Sequence, residues 1–110
     1  MTRCATAEEG LTEAALWHKL DQFYLDHGAQ QSIGSDSMGP NTADPHHLAQ
    51  SNYALQPGDG VLMDIGCQLD FYCSDTTRTV FFRSASPLQQ TVYDIVREAN
   101  LRAIDAVKPW

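Results

Sequence analysis

Apolar residues recur at helical spacing near the start of the chain. In a helix of 3.6 residues per turn they fall on one face. They are Leu16, Leu20, Phe23 and Tyr24. Thr12 precedes them as a suitable N-cap, and Gly28 follows as a suitable stop. The pattern predicts an amphipathic helix over residues 13 to about 27.

A second apolar stripe occupies the last quarter of the chain. Its members are Leu88, Val92, Ile95, Val96, Ala99, Ala103, Ile104 and Val107. Ser86 is a candidate N-cap, Pro87 stands at the first helical position, and Gln89 can close a capping box. Pro109 cannot continue a helix. The pattern predicts a helix from residue 87 to about 107.

The middle of the chain carries two kinds of pattern. Residues 28–56 are rich in Gln, Ser, Gly, Asn and Pro and weakly periodic, which predicts loops and short strands. Residues 60–66 and 71–82 read as strands, the second rich in Thr, Val and Phe, and a reversal at Leu69-Asp70 would join them as a β-hairpin. With the two helices, this predicts an α+β fold in which helices lie on one side of an antiparallel sheet.

Length and charge limit what such a chain can do. Its 110 residues are 43% hydrophobic, which is enough for one core. A chain of this length buries only about 60–70% of its unfolded surface, so we expect marginal stability. The net charge of −7 and the pI near 4.7 argue against nucleic acid or an anionic membrane as a partner.

Cysteine content and hydropathy bear on location. Cys4, Cys67 and Cys73 are odd in number and form no CxxC motif, which favours a reduced compartment. The sequence has neither a charged N-terminal region before a long apolar run nor an apolar stretch of about 18 residues, so we expect no secretory signal and no membrane span. These features predict a cytoplasmic protein.

Two acids interrupt the predicted hairpin, Asp64 and Asp75. A reversal at Leu69-Asp70 would place them directly opposite each other, with Cβ atoms roughly 4.5–5.5 Å apart and their like charges in repulsion. The neighbours of Asp64 are apolar, which would make an unpaired charge costly; they are Val61, Leu62, Met63 and Ile65. A divalent cation with oxygen ligands would relieve both problems. Alternatively, one acid points to solvent or pairs with Arg78, and a register shifted by one residue would send the acids to opposite faces.

Four segments carry a family resemblance. They are residues 10–13 (GLTE), 39–47 (GPNTADPHH), 57–66 (PGDGVLMDIG) and 72–79 (YCSDTTRT). Together they resemble the pita-bread metallopeptidases, and the ending DTTRT is more similar to the aminopeptidase P and prolidase branch than to the methionine aminopeptidases. The segments span nearly the whole chain. Phe71 departs from the family pattern, which commonly has Gly at that position.

The resemblance implies half of a pita-bread fold, with residues 1–110 as the N-terminal half of a catalytic domain. It implies that Asp64 and Asp75 ligate two divalent metal ions, commonly manganese, cobalt or zinc. A His and two Glu from a C-terminal half, which this sequence does not contain, would complete the site. The implied substrate is a peptide with proline at its second position, cleaved before that proline by an aminopeptidase or a dipeptidase.

Pro45-His46-His47 is the other candidate for chemistry. The resemblance implies that a His just after this proline approaches the substrate and stabilises charge or relays a proton, which a neutral imidazole can do near pH 7. Adjacency to the proline favours His46, whereas the distance to Asp64 favours His47. We assign the catalytic role to His46, because a loop absorbs an insertion more easily than a turn motif changes.

Three functions are compatible with these features. The first is a metallopeptidase, or the N-terminal half of one. The second is a pita-bread module without catalytic activity that binds a partner. The third is a symmetric homodimer in which each copy takes the place of the missing half.

Overall fold

One antiparallel sheet and two helices make up the part of the chain that the structure, a computed structural model, describes: residues 7–109. The elements are α1 (Glu13–Asp26), β1 (Gln31–Met38), a 3₁₀ helix (Gly39–Ala43), β2 (Gly60–Leu69), β3 (Tyr72–Cys73), β4 (Thr76–Phe81) and α2 (Pro87–Ala106). Strand β2 is central, with β1 on one side and β3 followed by β4 on the other. The predicted α+β class with an antiparallel sheet is confirmed. The prediction for Cys4 lies outside the described residues.

Both predicted helices are present, and each begins at its predicted cap. The N–H of Ala15 donates to Thr12 Oγ1 at 3.3 Å at the start of α1. At the start of α2, the N–H of Gln89 donates to Ser86 Oγ at 3.2 Å, and the N–H of Ser86 donates to Gln89 Oε1 at 2.7 Å. These bonds satisfy N–H groups that the first turn of a helix leaves unpaired. Both helices end within one residue of the predicted position.

The hairpin is present, but its turn lies one residue later than predicted. Asp70 and Phe71 form the turn, with φ of 50° and 68°. A two-residue hairpin turn of this kind requires positive φ at both central residues. Leu69 therefore pairs with Tyr72.

This turn makes the predicted register wrong, because Asp64 pairs with Thr77 and not with Asp75. Moving a turn by one residue shifts the pairing by two, so each side chain keeps its face. The same register continues on both sides of the interruption between β3 and β4, and it gives Asp75 the position across from Gly66. Asp64 and Asp75 are thus diagonal neighbours, for which the typical spacing is about 7–8 Å.

Strand β1 lies in the region predicted as loops and short strands. Its sequence QSIGSDSM has little apolar alternation, yet every residue pairs with β2. The alternation is in β2, where Val61 is buried and Asp64 is exposed. Pairing with a strong central strand therefore overrides the weak strand propensity of β1.

The core lies between α1 and one face of the sheet. Its fully buried apolar members are Leu16, Met38, Leu55 and Val61. Leu55, from the loop before β2, donates its N–H to the carbonyl of Leu11 at 2.9 Å and accepts from the N–H of Gly10 at 3.0 Å. Because this core is small, we expect single substitutions in it to have large effects on stability.

Helix α2 leaves its apolar stripe largely uncovered. None of its residues, all of which the structure describes, is buried, and Leu88 is 73% exposed. Tyr93 meets Phe81 edge-on, with ring centroids 6.2 Å apart. A cleft of about 670 Å³ lies between this part of α2 and the strands. The stripe is therefore an apolar surface with little cover from the described residues.

Two features relate to the predicted location. Cys67 and Cys73 are free thiols. No helix within residues 7–109 is long and apolar enough to cross a bilayer.

Candidate functional site

Asp64 lies near the middle of β2, on the sheet face turned away from α1. Its exposed carboxylate accepts a hydrogen bond at Oδ1 from the hydroxyl of Thr77, at 2.8 Å. Val61, Met63 and Ile65 belong to the opposite face because side chains alternate along a strand, and only Leu62 of the four apolar neighbours shares the face of Asp64. Because Asp64 is also exposed, the expected apolar environment is wrong. A carboxylate can accept several bonds, and the one from Thr77 leaves capacity for a cation.

Asp75 lies in the interruption between β3 and β4, which stays close to β2. The N–H of Ser74 donates to the carbonyl of Cys67 at 2.9 Å, and the N–H of Cys67 donates to Ser74 Oγ at 3.0 Å. Gly66 is buried beside them, and a Cβ there would overlap the carbonyl oxygen of Ser74. Gly66 thus permits the approach that places Asp75 near Asp64. A glycine within a predicted strand is the sequence signal that could have identified this close approach of two backbone segments.

Arg78 does not neutralise Asp64. Its register partner is Met63, which assigns it to the other face of the sheet. Its guanidinium Nη1 donates to the carbonyl oxygen of Thr77 at 2.8 Å. The alternative in which Arg78 pairs with Asp64 is therefore wrong, whereas exposure of one acid to solvent agrees with the exposed position of Asp64.

The segment that contains His46 and His47 lies on the same face as Asp64. Ser35 of β1 is the register partner of Asp64, and its hydroxyl donates to the carbonyl oxygen of His47 at 2.6 Å. Opposite residues of a ladder project from one face, so the backbone of His47 lies on the Asp64 side of β1. The two imidazoles differ: His46 is exposed, whereas the side chain of His47 is 9% exposed.

Glu13 is a candidate that the sequence analysis did not identify. Its side chain is fully buried at the first turn of α1. Oε1 accepts from the N–H of Met38 at 2.8 Å and from Asn41 Nδ2 at 2.9 Å. Oε2 accepts from His47 Nε2 at 2.7 Å and from the N–H of Gln50 at 3.1 Å. Burial alone would raise the pKa of Glu13, but these hydrogen bonds outweigh it and lower the pKa below its ordinary value.

Asp36 is a second buried acid, on the face of β1 that packs against α1. It is fully buried, and among the described residues neither carboxylate oxygen has a hydrogen-bond partner. Burial first, and then the negative charge of Glu13, raise the pKa of Asp36 to about 7. A substantial fraction of Asp36 is therefore protonated at neutral pH. No local pattern marks this acid, because β1 lies in the region for which the sequence predicts loops and short strands.

Asp64 and Asp75 suit a divalent cation but do not form a complete site by themselves. Carboxylate oxygens are ligands that hard divalent ions prefer. Asp64 and Asp75 offer two carboxylates, while residues 7–109 contain no group of three or more His, Cys, Asp or Glu that could hold a metal ion. A complete site would need ligands beyond the described residues.

Comparison with known proteins is consistent with this geometry. The model of metallopeptidase family M24 matches residues 1–110. An uncharacterized peptidase of Staphylococcus aureus (strain USA300) is 35% identical over 105 residues, which are 93% of this chain and 29% of that protein.

Solved structures show the same fold over this part of the chain. The prolidase from Pyrococcus furiosus superposes with a TM-score of 0.89 at 32% identity, covering 94% of this chain and 31% of the prolidase. The X-Pro aminopeptidase from Thermotoga maritima gives a TM-score of 0.86 at 29% identity, covering 93% of this chain and 29% of that enzyme. The chain thus spans less than a third of the length of these relatives, and the prediction of part of a pita-bread fold is confirmed.

Proposed function

The chain belongs to metallopeptidase family M24, and from this premise we propose that it forms the N-terminal half of the catalytic domain of an Xaa-Pro peptidase. The reaction is hydrolysis of the bond before a proline at the second position of a peptide. The observation that supports the proposal is the register of β2 with β4: continued by one residue beyond Thr76, it assigns Asp75 to the sheet face of Asp64. The chain's coverage of less than a third of its relatives supports the assignment to one half.

In this proposal Asp64 and Asp75 are ligands of two divalent ions, manganese in the first instance, with cobalt or zinc as the alternatives. Bound divalent ions lower the pKa of a ligating water and polarise a carbonyl. A His and two Glu supplied from outside residues 1–110 complete the ligand set. Thr77 orients the Asp64 carboxylate through its hydrogen bond to Oδ1.

His46 is the proposed catalytic residue of this half. It is exposed, and its neighbour His47 is bonded through its carbonyl to Ser35, the register partner of Asp64. An imidazole at this position can donate to a developing negative charge or pass a proton to the leaving amine. His47 is less suited to contact substrate because its imidazole is occupied by Glu13.

The relatives limit how far the substrate can be assigned. The solved structures include a prolidase, an Xaa-Pro dipeptidase and an X-Pro aminopeptidase. The proposal therefore extends to the Xaa-Pro bond and covers both peptide lengths. We also propose a cytoplasmic location, on the basis of the odd number of cysteines without a disulfide framework.

The uncovered stripe of α2 favours a second candidate function, a catalytically incomplete binding module that acts through a partner or a homodimer. Leu88 and Ile95 are 73% and 64% exposed, and apolar surface of this kind is typical of interaction sites. In this alternative the stripe of α2, and not the pair Asp64 and Asp75, carries the function.

Metal content separates the two functions. A protein that contains both halves of the domain is loaded with manganese, dialysed and measured by elemental analysis, with its oligomeric state recorded on the same sample. We expect retained manganese that is lost in Asp64→Asn and in Asp75→Asn, while Asp70→Asn, an acid in the turn of the same hairpin, serves as the matched control. No retained metal in a folded sample, or equal retention in Asp64→Asn, would favour the binding module.

Activity tests the role of His46. In a protein that contains both halves of the domain, His46→Ala should lower Xaa-Pro hydrolysis while the metal content stays unchanged. Loss of metal in this variant would contradict the assignment of His46 as a residue that contacts substrate.

A further inference from the structure

Glu13 connects three separate parts of the chain. It begins α1, and it accepts hydrogen bonds from the end of β1, from the 3₁₀ helix and from the loop of residues 44–50. A buried carboxylate is costly unless its oxygens are satisfied. Each oxygen of Glu13 has two donors, so the cost of its burial is offset only while all these segments keep their places.

The loop of residues 44–50 depends on a few such contacts. Its members Pro45, His46 and Leu48 are exposed and contribute nothing to the core. Segments with few buried contacts open most readily. His47 is the exception, because its imidazole bonds to Glu13 and its carbonyl accepts from Ser35. The residue next to His46 is thus held from both sides of β1.

We propose that Glu13 is a positioning residue that fixes His46 beside Asp64 by holding the imidazole of His47. This inference rests on the proposed function, in which His46 contacts substrate and Asp64 binds metal. The ionised carboxylate only accepts hydrogen bonds, so His47 Nε2 must carry a hydrogen and donate the hydrogen bond to Glu13 Oε2. Glu13 thereby sets the orientation of the His47 ring, and with it the path of the backbone at His46.

Glu13→Gln tests this directly, because it keeps the shape and removes an acceptor. The amide nitrogen of Gln is a donor and would face two donors in either orientation. If it replaces Oε2, it opposes His47 Nε2 and the N–H of Gln50, which lie 2.7 and 3.1 Å from that oxygen. If it replaces Oε1, it opposes the N–H of Met38 and Asn41 Nδ2, at 2.8 and 2.9 Å, and the bond from His47 stays. Glu8→Gln is the matched control, since Glu8 is exposed.

The first readout needs no metal. Nuclear Overhauser contacts between Ser35 and His47 should be present in the wild-type 110-residue chain and in Glu8→Gln, and lost in Glu13→Gln. The amide of Phe82, which donates to the carbonyl of Asp59 at 2.8 Å, reports whether the sheet is still folded. Retention of the Ser35–His47 contacts both in folded Glu13→Gln and in His47→Ala, described next, would overturn the proposal.

A second pair of variants decides the question if Glu13→Gln does not fold. His47→Ala removes one donor and leaves Glu13 with three, so the core remains satisfied. It should release residue 47 from Ser35, whereas His47→Gln, whose amide can donate to Glu13, should restore the contact. Equal contacts to Ser35 in both variants would show that the loop is held without Glu13.

Manganese gives the readout that a purely structural role would not change. When manganese is added to a protein that contains both halves of the domain, the ring resonances of His46 should broaden in wild type, and this broadening should be weaker in Glu13→Gln although the metal content is unchanged. Undiminished broadening in Glu13→Gln would overturn the proposal. If wild type retains no manganese, the proposed function fails, and the Overhauser contacts still decide the role of Glu13.

Discussion

Asp36 makes the stability of this protein depend on pH in a range where most acids have no effect. The perturbation is Asp36→Asn, which keeps the side-chain shape and removes the titration. Asp36 is fully buried without a hydrogen-bond partner among the described residues, and its pKa is raised from 3.8 to about 7, by burial and then by the charge of Glu13. The protonated carboxyl resembles the Asn amide in charge, so the two proteins should differ little in acid.

The magnitude follows from the difference in pKa. The folded state binds the proton more tightly than the unfolded state, so the stability from this group is complete below pH 3.8 and decreases as pH rises to about 7. Each pKa unit corresponds to about 1.4 kcal/mol, and a shift of about three units therefore gives a loss of about 4 kcal/mol above pH 7. This is a large part of the roughly 5–15 kcal/mol that stabilises a domain.

Urea unfolding between pH 5 and pH 8 measures the effect. We expect the free energy of unfolding of wild type to fall by about 2.3 kcal/mol from pH 5 to pH 7, and that of Asp36→Asn to change much less. Asp105→Asn, an exposed acid at the end of α2, is the control and should follow wild type. Glu13 does not interfere, because its pKa is lowered, and the stability it provides is lost only as pH falls below 4.5.

Parallel pH profiles for wild type and Asp36→Asn would refute this reasoning. So would a carboxyl titration of Asp36, followed by carbon NMR, with its midpoint near 3.8. Either result would mean that water or a cation reaches the carboxylate.

Two further predictions concern single contacts. Gly66→Ala should lower the free energy of unfolding by about 1–3 kcal/mol, because its Cβ would overlap the carbonyl of Ser74, and should reduce manganese retention by displacing residues 74–75. Thermal unfolding and metal analysis measure the two effects. An equal effect of Gly60→Ala, which has room for a Cβ, would contradict the explanation. Ser86→Ala should lower the free energy of unfolding by about 1 kcal/mol and speed hydrogen exchange of the Gln89 amide, whose N–H donates to the Ser86 hydroxyl. Unchanged exchange at Gln89 would mean that the cap does not stabilise α2.

The sequence was sufficient for elements whose signals are local. Thr12 and Ser86 each accept a hydrogen bond from an N–H three residues later, so each helix start depends only on neighbouring residues. The apolar stripe of α2 and the strand-forming residues of β2 and β4 are also local signals, because each can be read from a short stretch of sequence. Asp64 and Asp75 can also be picked out from the sequence as candidate site residues, because charged residues in a strand pattern stand out wherever the turn lies.

Tertiary structure decided what depends on contacts between distant residues. The register differs from the predicted one because the backbone φ at Asp70 and Phe71, and not the residue composition, sets where the hairpin turns. The four donors of Glu13 come from residues 25 to 37 positions away, and no local pattern announces such a set. The burial of Asp36 likewise follows from the pairing of β1 with β2 and the packing of α1 against β1. Local propensity and capping act over a few residues, whereas register, burial and the pKa of an acid are set by neighbours that only the folded chain brings together.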